Sequence, residues 1–241
     1  DCAQAMQELI RMGVETIITF DAHDNRVQNA IPNNGFDNFF TSYQFISTIL
    51  NDMPDLIVDN EHLMTISPDE GGMRRAVFYS NQLGVDMGMF FKRRNYSTLV
   101  NGEHPVISME FLGNDVSGKD VIIVDDMIAS GKTVLEVAKE LKKRNAAHVI
   151  ICATFGLFND GLEELDQAYK EKVFDHIYTT NLCYCPSALK ERPYYHNVDL
   201  SRYIALIIDT LNHDTSVNDI MNATKRIQEL LEERSKNISS K

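Results

Sequence analysis

The chain has 241 residues, 44% of them apolar and 24% charged, and a formal net charge of −12. This is the composition of a globular protein with enough apolar residues for one large core or two smaller ones. The acidic balance excludes general nucleic-acid binding, which needs a basic footprint, and no apolar run reaches the roughly 20 residues that would cross a membrane. No nucleic-acid and no membrane partner is therefore expected.

In chain order, residues 1–12 place Met6, Leu9 and Ile10 at helical spacing. The run begins mid-pattern at Asp1 without a methionine, and reads as a fragment of a longer chain. Residues 15–20 form a strand pattern that ends abruptly in Asp21-Ala22-His23-Asp24. A histidine between carboxylates at a strand tip suits either a hard divalent cation or a proton relay, whereas a lone histidine would be incidental. Residues 33–38 are rich in Asn, Gly and Asp and predict a loop, and residues 39–50 return to helical spacing. Residues 56–58 are a short, weakly strand-like run, and residues 63–66 a better strand.

That strand leads into Ser67-Pro68-Asp69-Glu70-Gly71-Gly72 and then a helix through Leu83. Proline stiffens the exit, Asp69 projects at the sheet edge, and the glycines let backbone N–H groups approach a ligand. Residues 85–91 read as a strand running into Lys92-Arg93-Arg94, with a polar stretch beyond it over residues 95–105. Three cations in a row are usually a solvated surface. Placed directly after an apolar strand on an acidic protein, they also suit a basic loop that closes over phosphates.

Residues 106–111 predict another strand, and residues 121–124 a buried one, Val-Ile-Ile-Val. The latter ends in Asp125-Asp126 and a loop, Met127-Ile128-Ala129-Ser130-Gly131-Lys132-Thr133, that opens an amphipathic helix. At the carboxyl edge of a parallel sheet, loop amides and a helix N-terminus hold a phosphate. The paired aspartates accept hydrogen bonds from vicinal hydroxyls, so the combination suits a sugar phosphate. A Walker nucleotide loop is excluded, because Asp126 stands where that motif needs its first glycine. An ordinary turn with Ser130 as helix cap would leave the two consecutive aspartates without a role.

Further strands are expected at residues 147–154 and 174–178, and helices at 162–169, 200–211 and 218–234, with a frayed end from 235. Cys152 reads as a core thiol, and Cys183-Tyr184-Cys185 as structural, since no second pair stands at zinc spacing. Few cysteines and no signal peptide place the chain in a reducing cytoplasm. The alternation of strands and helices predicts an α/β fold, a mostly parallel sheet flanked by helices.

Four of these segments, in order, resemble the ribose-phosphate diphosphokinases (phosphoribosyl diphosphate synthetases), and the expected fold is accordingly phosphoribosyltransferase-like. The His23 strand tip resembles their Asp-Leu-His-Ala segment, and Ser67–Gly72 their Ser-Pro-Asp-Val-Gly-Gly. Lys92-Arg93-Arg94 resembles the opening of their catalytic loop, and Val124–Thr133 their ribose-5-phosphate loop. Ala129 departs from the family's usual aspartate there, and Lys132 from its glycine or alanine.

The resemblance implies transfer of the diphosphoryl unit of ATP to the C1 hydroxyl of ribose 5-phosphate. His23 and Asp69 would be linked to Mg2+, and Lys92 and Arg94 would be the catalytic cations. Asp125 and Asp126 would hold ribose hydroxyls, and Ala129, Ser130, Gly131, Lys132 and Thr133 the 5-phosphate. It further implies a homo-oligomer. Residues 1–40 would be the remnant of an N-terminal domain that supplies adenine contacts, 41–213 the ribose-5-phosphate domain, and 214–241 a C-terminal helix. Such a fragment could be inactive by itself. A nucleobase phosphoribosyltransferase shares the ribose loop but has no need of the His23 and Lys92–Arg94 elements. A non-catalytic regulatory subunit would have no need of Lys92, Arg94, Asp125 and Asp126.

Overall fold

A computed structural model describes residues 1–94 and 106–239, with the side chains of 92–94, 106–108, 219 and 237–239 outside the description. Strand β6 (Asp120–Ile128) lies at the centre of a seven-stranded sheet, between β3 (Leu63–Ser67) and β7 (Val149–Gly156). Beyond β3 come β4 (Asp86–Arg94) and β5 (Val106–Leu112), and beyond β7 come β8 (His176–Thr180) and β9 (Tyr195–Val198). Every pairing is parallel except β4 with β5.

The uninterrupted apolar run in β6 follows from burial on both faces. Val121 and Ile123 join a core with α4 (Lys132–Lys143) and α5 (Glu163–Lys170). Ile122 and Val124 enter a second core, with α2 (Ser42–Asp52), α3 (Met73–Leu83) and α7 (Ser201–Asn212). Both cores exclude water almost entirely along the strand, with Val121 and Ile123 at 0% exposure. The remaining helices are α1 (Cys2–Arg11), α6 (Ser187–Lys190), α8 (Asn218–Met221) and α9 (Ala223–Ser239).

Several elements differ from expectation. Residues 33–38 do not form a plain loop, because β2 (Gly35–Phe39) pairs in parallel with β1 (Thr16–Phe20) in a separate two-stranded sheet. The polar sequence hides this strand, whose register depends on a glycine. A Cβ on Gly35 would stand 2.6 Å from Thr16 Oγ1. Residues 56–58 are irregular; Leu56 is buried, but its segment pairs with no strand.

The aspartates at 125 and 126 lie inside β6 rather than after it, since the ladder with β7 continues through Asp125↔Ala153 to Ile128↔Gly156. The expected last helix is broken at Asn222, with ψ 88°, into α8 and α9. β9 and α6 were not foreseen; β9 is a short edge strand with polar His196 and Asn197 between two buried residues.

Candidate active site

Parallel strands β6 and β3 end at the same edge of the sheet, which brings Asp69, Asp125 and Asp126 to that edge. Asp126 is 4% exposed. Its Oδ2 lies 2.7 Å from His23 Nδ1, at the exit of β1. This contact raises the His23 pKa above its usual value, first through the hydrogen bond and then through the Asp126 charge. Asp125 and Asp69 add to it. Burial works against ionisation of Asp126, yet hydrogen bonds from Asp125 and His23 and the charge of Arg75 outweigh it and lower its pKa.

Asp125 moves the other way, to about 7, through burial and then its hydrogen bond and charge repulsion with Asp126. The adjacent carboxylates thus titrate as a coupled pair, in which Asp125 is the more readily protonated.

The turn after β3 is closed by its own side chains: Gly72 N–H donates to Asp69 Oδ1 at 3.1 Å, and Ser67 Oγ to the Asp69 carbonyl at 2.6 Å. Gly72 is required by close approach, since a Cβ would meet Ser67 Oγ at 2.8 Å.

Beyond β6, Ala129 and Ser130 lead to Gly131, the N-cap of α4, at φ +88°. That left-handed conformation suits glycine. No side chain caps α4, although Ser130 Oγ accepts from Lys132 N at 3.4 Å. First-turn amides of an uncapped helix are an anion site. The neighbouring loop braces this turn: Asn159 N–H donates to the Ala129 carbonyl at 2.8 Å, and Lys132 Nζ lies 3.1 Å from Asp160 Oδ2. Thr133, in the first turn of α4, is exposed.

Lys92 and Arg94 are placed by backbone only, on β4 opposite Met109 and Val106 of β5. Their side chains and the polar stretch at 95–105 lie outside the described residues.

The sequence reading did not single out Arg75, which has the central place in the site. Its Nε and Nη2 donate to the Asp21 carboxylate at 3.0 and 2.9 Å, and its Nη1 lies 4.0 Å from Asp125 Oδ1. Thr154 of β7 donates to Asp21 Oδ2 at 2.8 Å. Asp24 instead turns to Arg26, Oδ2 to Nη2 2.5 Å, and caps a short 3-10 helix. Around the Arg75–Asp21 pair lies a cavity of about 690 Å³ whose walls include His23, Asp125 and Thr154, and Phe45, Tyr79 and Met221 beyond. The sequence signal for Arg75 was its position three residues after Gly72, near the start of α3.

Among the described residues no three His, Cys, Asp or Glu side chains converge as a metal cage. Magnesium, however, usually takes only one or two carboxylates, with substrate phosphates and water completing the octahedron. Asp126, Asp125 and Asp69 all act on the charge of His23, and carboxylates are the donor type that an ion shared with phosphates would use.

Comparison with known proteins names the architecture. Residues 41–187 match the model of the phosphoribosyl transferase domain. The chain belongs to that family.

Its similarity extends to curated relatives. It is 31% identical over 176 residues to the ribose-phosphate pyrophosphokinase of Mycoplasma genitalium, covering 72% of this chain and 48% of that one. It is 30% identical over 220 residues to the ribose-phosphate pyrophosphokinase of Vibrio parahaemolyticus, covering 89% and 63%. The chain thus spans between about half and two thirds of these relatives' length. Among solved structures, the phosphoribosylpyrophosphate synthetase of Mycobacterium smegmatis has the same fold, with a TM-score of 0.73 at 23% identity. That alignment covers 88% of this chain and 64% of the other. No helix among the described residues is long and apolar enough to cross a membrane.

Proposed function

We propose that this phosphoribosyl transferase domain serves a ribose-phosphate diphosphokinase. The β,γ-diphosphoryl group of ATP passes to the C1 hydroxyl of ribose 5-phosphate, and the products are AMP and 5-phosphoribosyl 1-diphosphate. The observation that carries this reading is the juxtaposition of the β6 carboxylates with the uncapped start of α4. Similarity to relatives named ribose-phosphate pyrophosphokinase supports it.

In this reading Asp125 and Asp126 accept hydrogen bonds from ribose hydroxyls, while the amides of Ala129–Thr133 hold the 5-phosphate. Phosphoryl transfer of this kind depends on positioning and charge neutralisation more than on covalent catalysis. Lys92 and Arg94 are the cations that stabilise the migrating charge. His23 and Asp69 would hold Mg2+, which would neutralise charge on the ATP phosphates. The compartment is the cytoplasm, and the working form a homo-oligomer.

Incubation of the full-length protein with ATP, ribose 5-phosphate and Mg2+, with this chain assayed beside it, is expected to release AMP and 5-phosphoribosyl 1-diphosphate in equal amounts. Absence of AMP from the full-length protein, or a nucleotide formed from a nucleobase and 5-phosphoribosyl 1-diphosphate in its place, would overturn the assignment.

A further inference from the structure

One guanidinium stands among three carboxylates in this site, and its hydrogen bonds are unequally distributed. Arg75 spends two nitrogens on Asp21, while Nη1 stays 4.0 Å from Asp125 Oδ1, beyond hydrogen-bonding range but close enough to attract. The side chains of Arg75, Asp21 and Asp125 are 16%, 6% and 14% exposed, so the three charges are largely withdrawn from bulk water and act on one another strongly.

Asp21 is itself fixed from several elements. Its N–H donates to the Phe39 carbonyl of β2 at 2.8 Å, and its Oδ2 accepts from Thr154 of β7. Because the single Thr154 proton is given to Asp21, Thr41 Oγ1 donates to Thr154 Oγ1, at 3.0 Å, and ties in the start of α2. Asp21 has φ +44°, a left-handed conformation that a residue with a side chain adopts at a cost. Strain of this kind concentrates at functional sites.

We propose that Asp21 is a positioning residue: it anchors Arg75 away from Asp125, so that the β6 carboxylates feel the cation's charge while Arg75 takes up none of the acceptor capacity left beside the Asp126 N–H on Asp125 Oδ1 and His23 on Asp126 Oδ2, which ribose hydroxyls would use. The inference rests on the ribose 5-phosphate reading above. A guanidinium–carboxylate hydrogen bond is about twice as strong as a neutral one, so an Arg75 released from Asp21 would displace a sugar hydroxyl from Asp125. A buried cation that loses its partner takes the nearest carboxylate.

Titration calorimetry with ribose 5-phosphate, beside KM values for both substrates, tests this. Asp21→Asn is expected to weaken ribose 5-phosphate binding about tenfold or more, with the KM for ATP changed by less than about twofold. Asp21→Asn with Arg75→Met is expected to bind ribose 5-phosphate more tightly than Asp21→Asn alone, because the competing cation is gone. A purely structural role for the pair predicts the double variant to be no better. Parent-like affinity in Asp21→Asn, or no recovery in the double variant, overturns the proposal. Should Asp21→Asn not fold, Thr154→Val decides: binding about threefold weaker supports the proposal, and parent-like binding overturns it. A parent chain that binds no ribose 5-phosphate overturns both readings. Binding by the full-length protein without release of AMP overturns only the diphosphoryl transfer.

Discussion

His23 Nδ1 and Asp126 Oδ2 are 2.7 Å apart, and this contact joins the exit of β1 to the middle of the site across 103 positions of chain. It biases the charge of the aspartate pair. Against burial, the hydrogen bond from Asp125, then that from His23 and the charge of Arg75, favour ionised Asp126, whereas burial and its neighbour raise the pKa of Asp125. The two adjacent aspartates are therefore chemically unequal near neutral pH.

From that inequality follows a pH dependence. An ionised Asp125 is the better hydroxyl acceptor, and its pKa is about 7, so ribose 5-phosphate affinity is expected to rise between about pH 6 and 8. Asp125→Asn should bind weakly and without that slope. Stability runs in the opposite sense. The folded-state pKa lies above the ordinary 3.8, so the group costs stability as pH rises through 3.8, and the full cost is reached above about 7. At pH 8 Asp125→Asn should melt higher than the parent, by about 3 °C for each kcal/mol relieved. Calorimetric binding and melting series over pH check both directions.

Lys132 offers a test of the phosphate loop. Its pairing with Asp160 is solvent-exposed, at 60% and 51% side-chain exposure, and such pairs are worth about 0–1 kcal/mol. A phosphate dianion at the α4 N-terminus can therefore draw the ammonium from Asp160. Lys132→Ala should weaken ribose 5-phosphate binding about threefold to tenfold while shifting stability by less than about 0.5 kcal/mol. Unchanged affinity would show that the lysine takes no part in binding.

Ile227 anchors the C-terminal helix in the core, and Arg234 adds a cluster of hydrogen bonds to it. Arg234 donates to the carbonyls of Leu50, Met53, Pro54 and Leu56, at 2.7, 3.1, 2.8 and 2.8 Å, and so satisfies the end of α2 and the irregular segment after it. Arg234→Met should cost about 2–4 kcal/mol, and Arg234→Lys somewhat less, since one ammonium cannot serve four carbonyls. A lower melting temperature with earlier proteolysis within α9 is the expected result; a parent-like melt would refute it.

Much of the architecture is legible from local pattern. Val121–Val124 reads as a strand because burial on both faces demands an unbroken apolar run. Residues 134–141 read as a helix because one face packs against the sheet. Gly131 and Gly72 could be recognised as special positions, and their φ angle and close contacts show why glycine is needed there. By contrast, Gly35–Phe39 is a strand only because Thr16–Phe20 lies beside it, and β9 only because β8 does. Polar strands at sheet edges carry little pattern of their own.

The sequence by itself determined the alternation of the central strands and their helices, the apolar centre of the sheet, and the carboxylates and small-residue loop at its edge. Spacing and burial preference are properties of neighbours along the chain. Only the tertiary structure decided that Arg75 is spent on Asp21, that His23 reaches Asp126, and that the pKa of Asp125 is raised while that of Asp126 is lowered. Those outcomes depend on which charges fold brings within a few ångströms, and on how much water it removes around them.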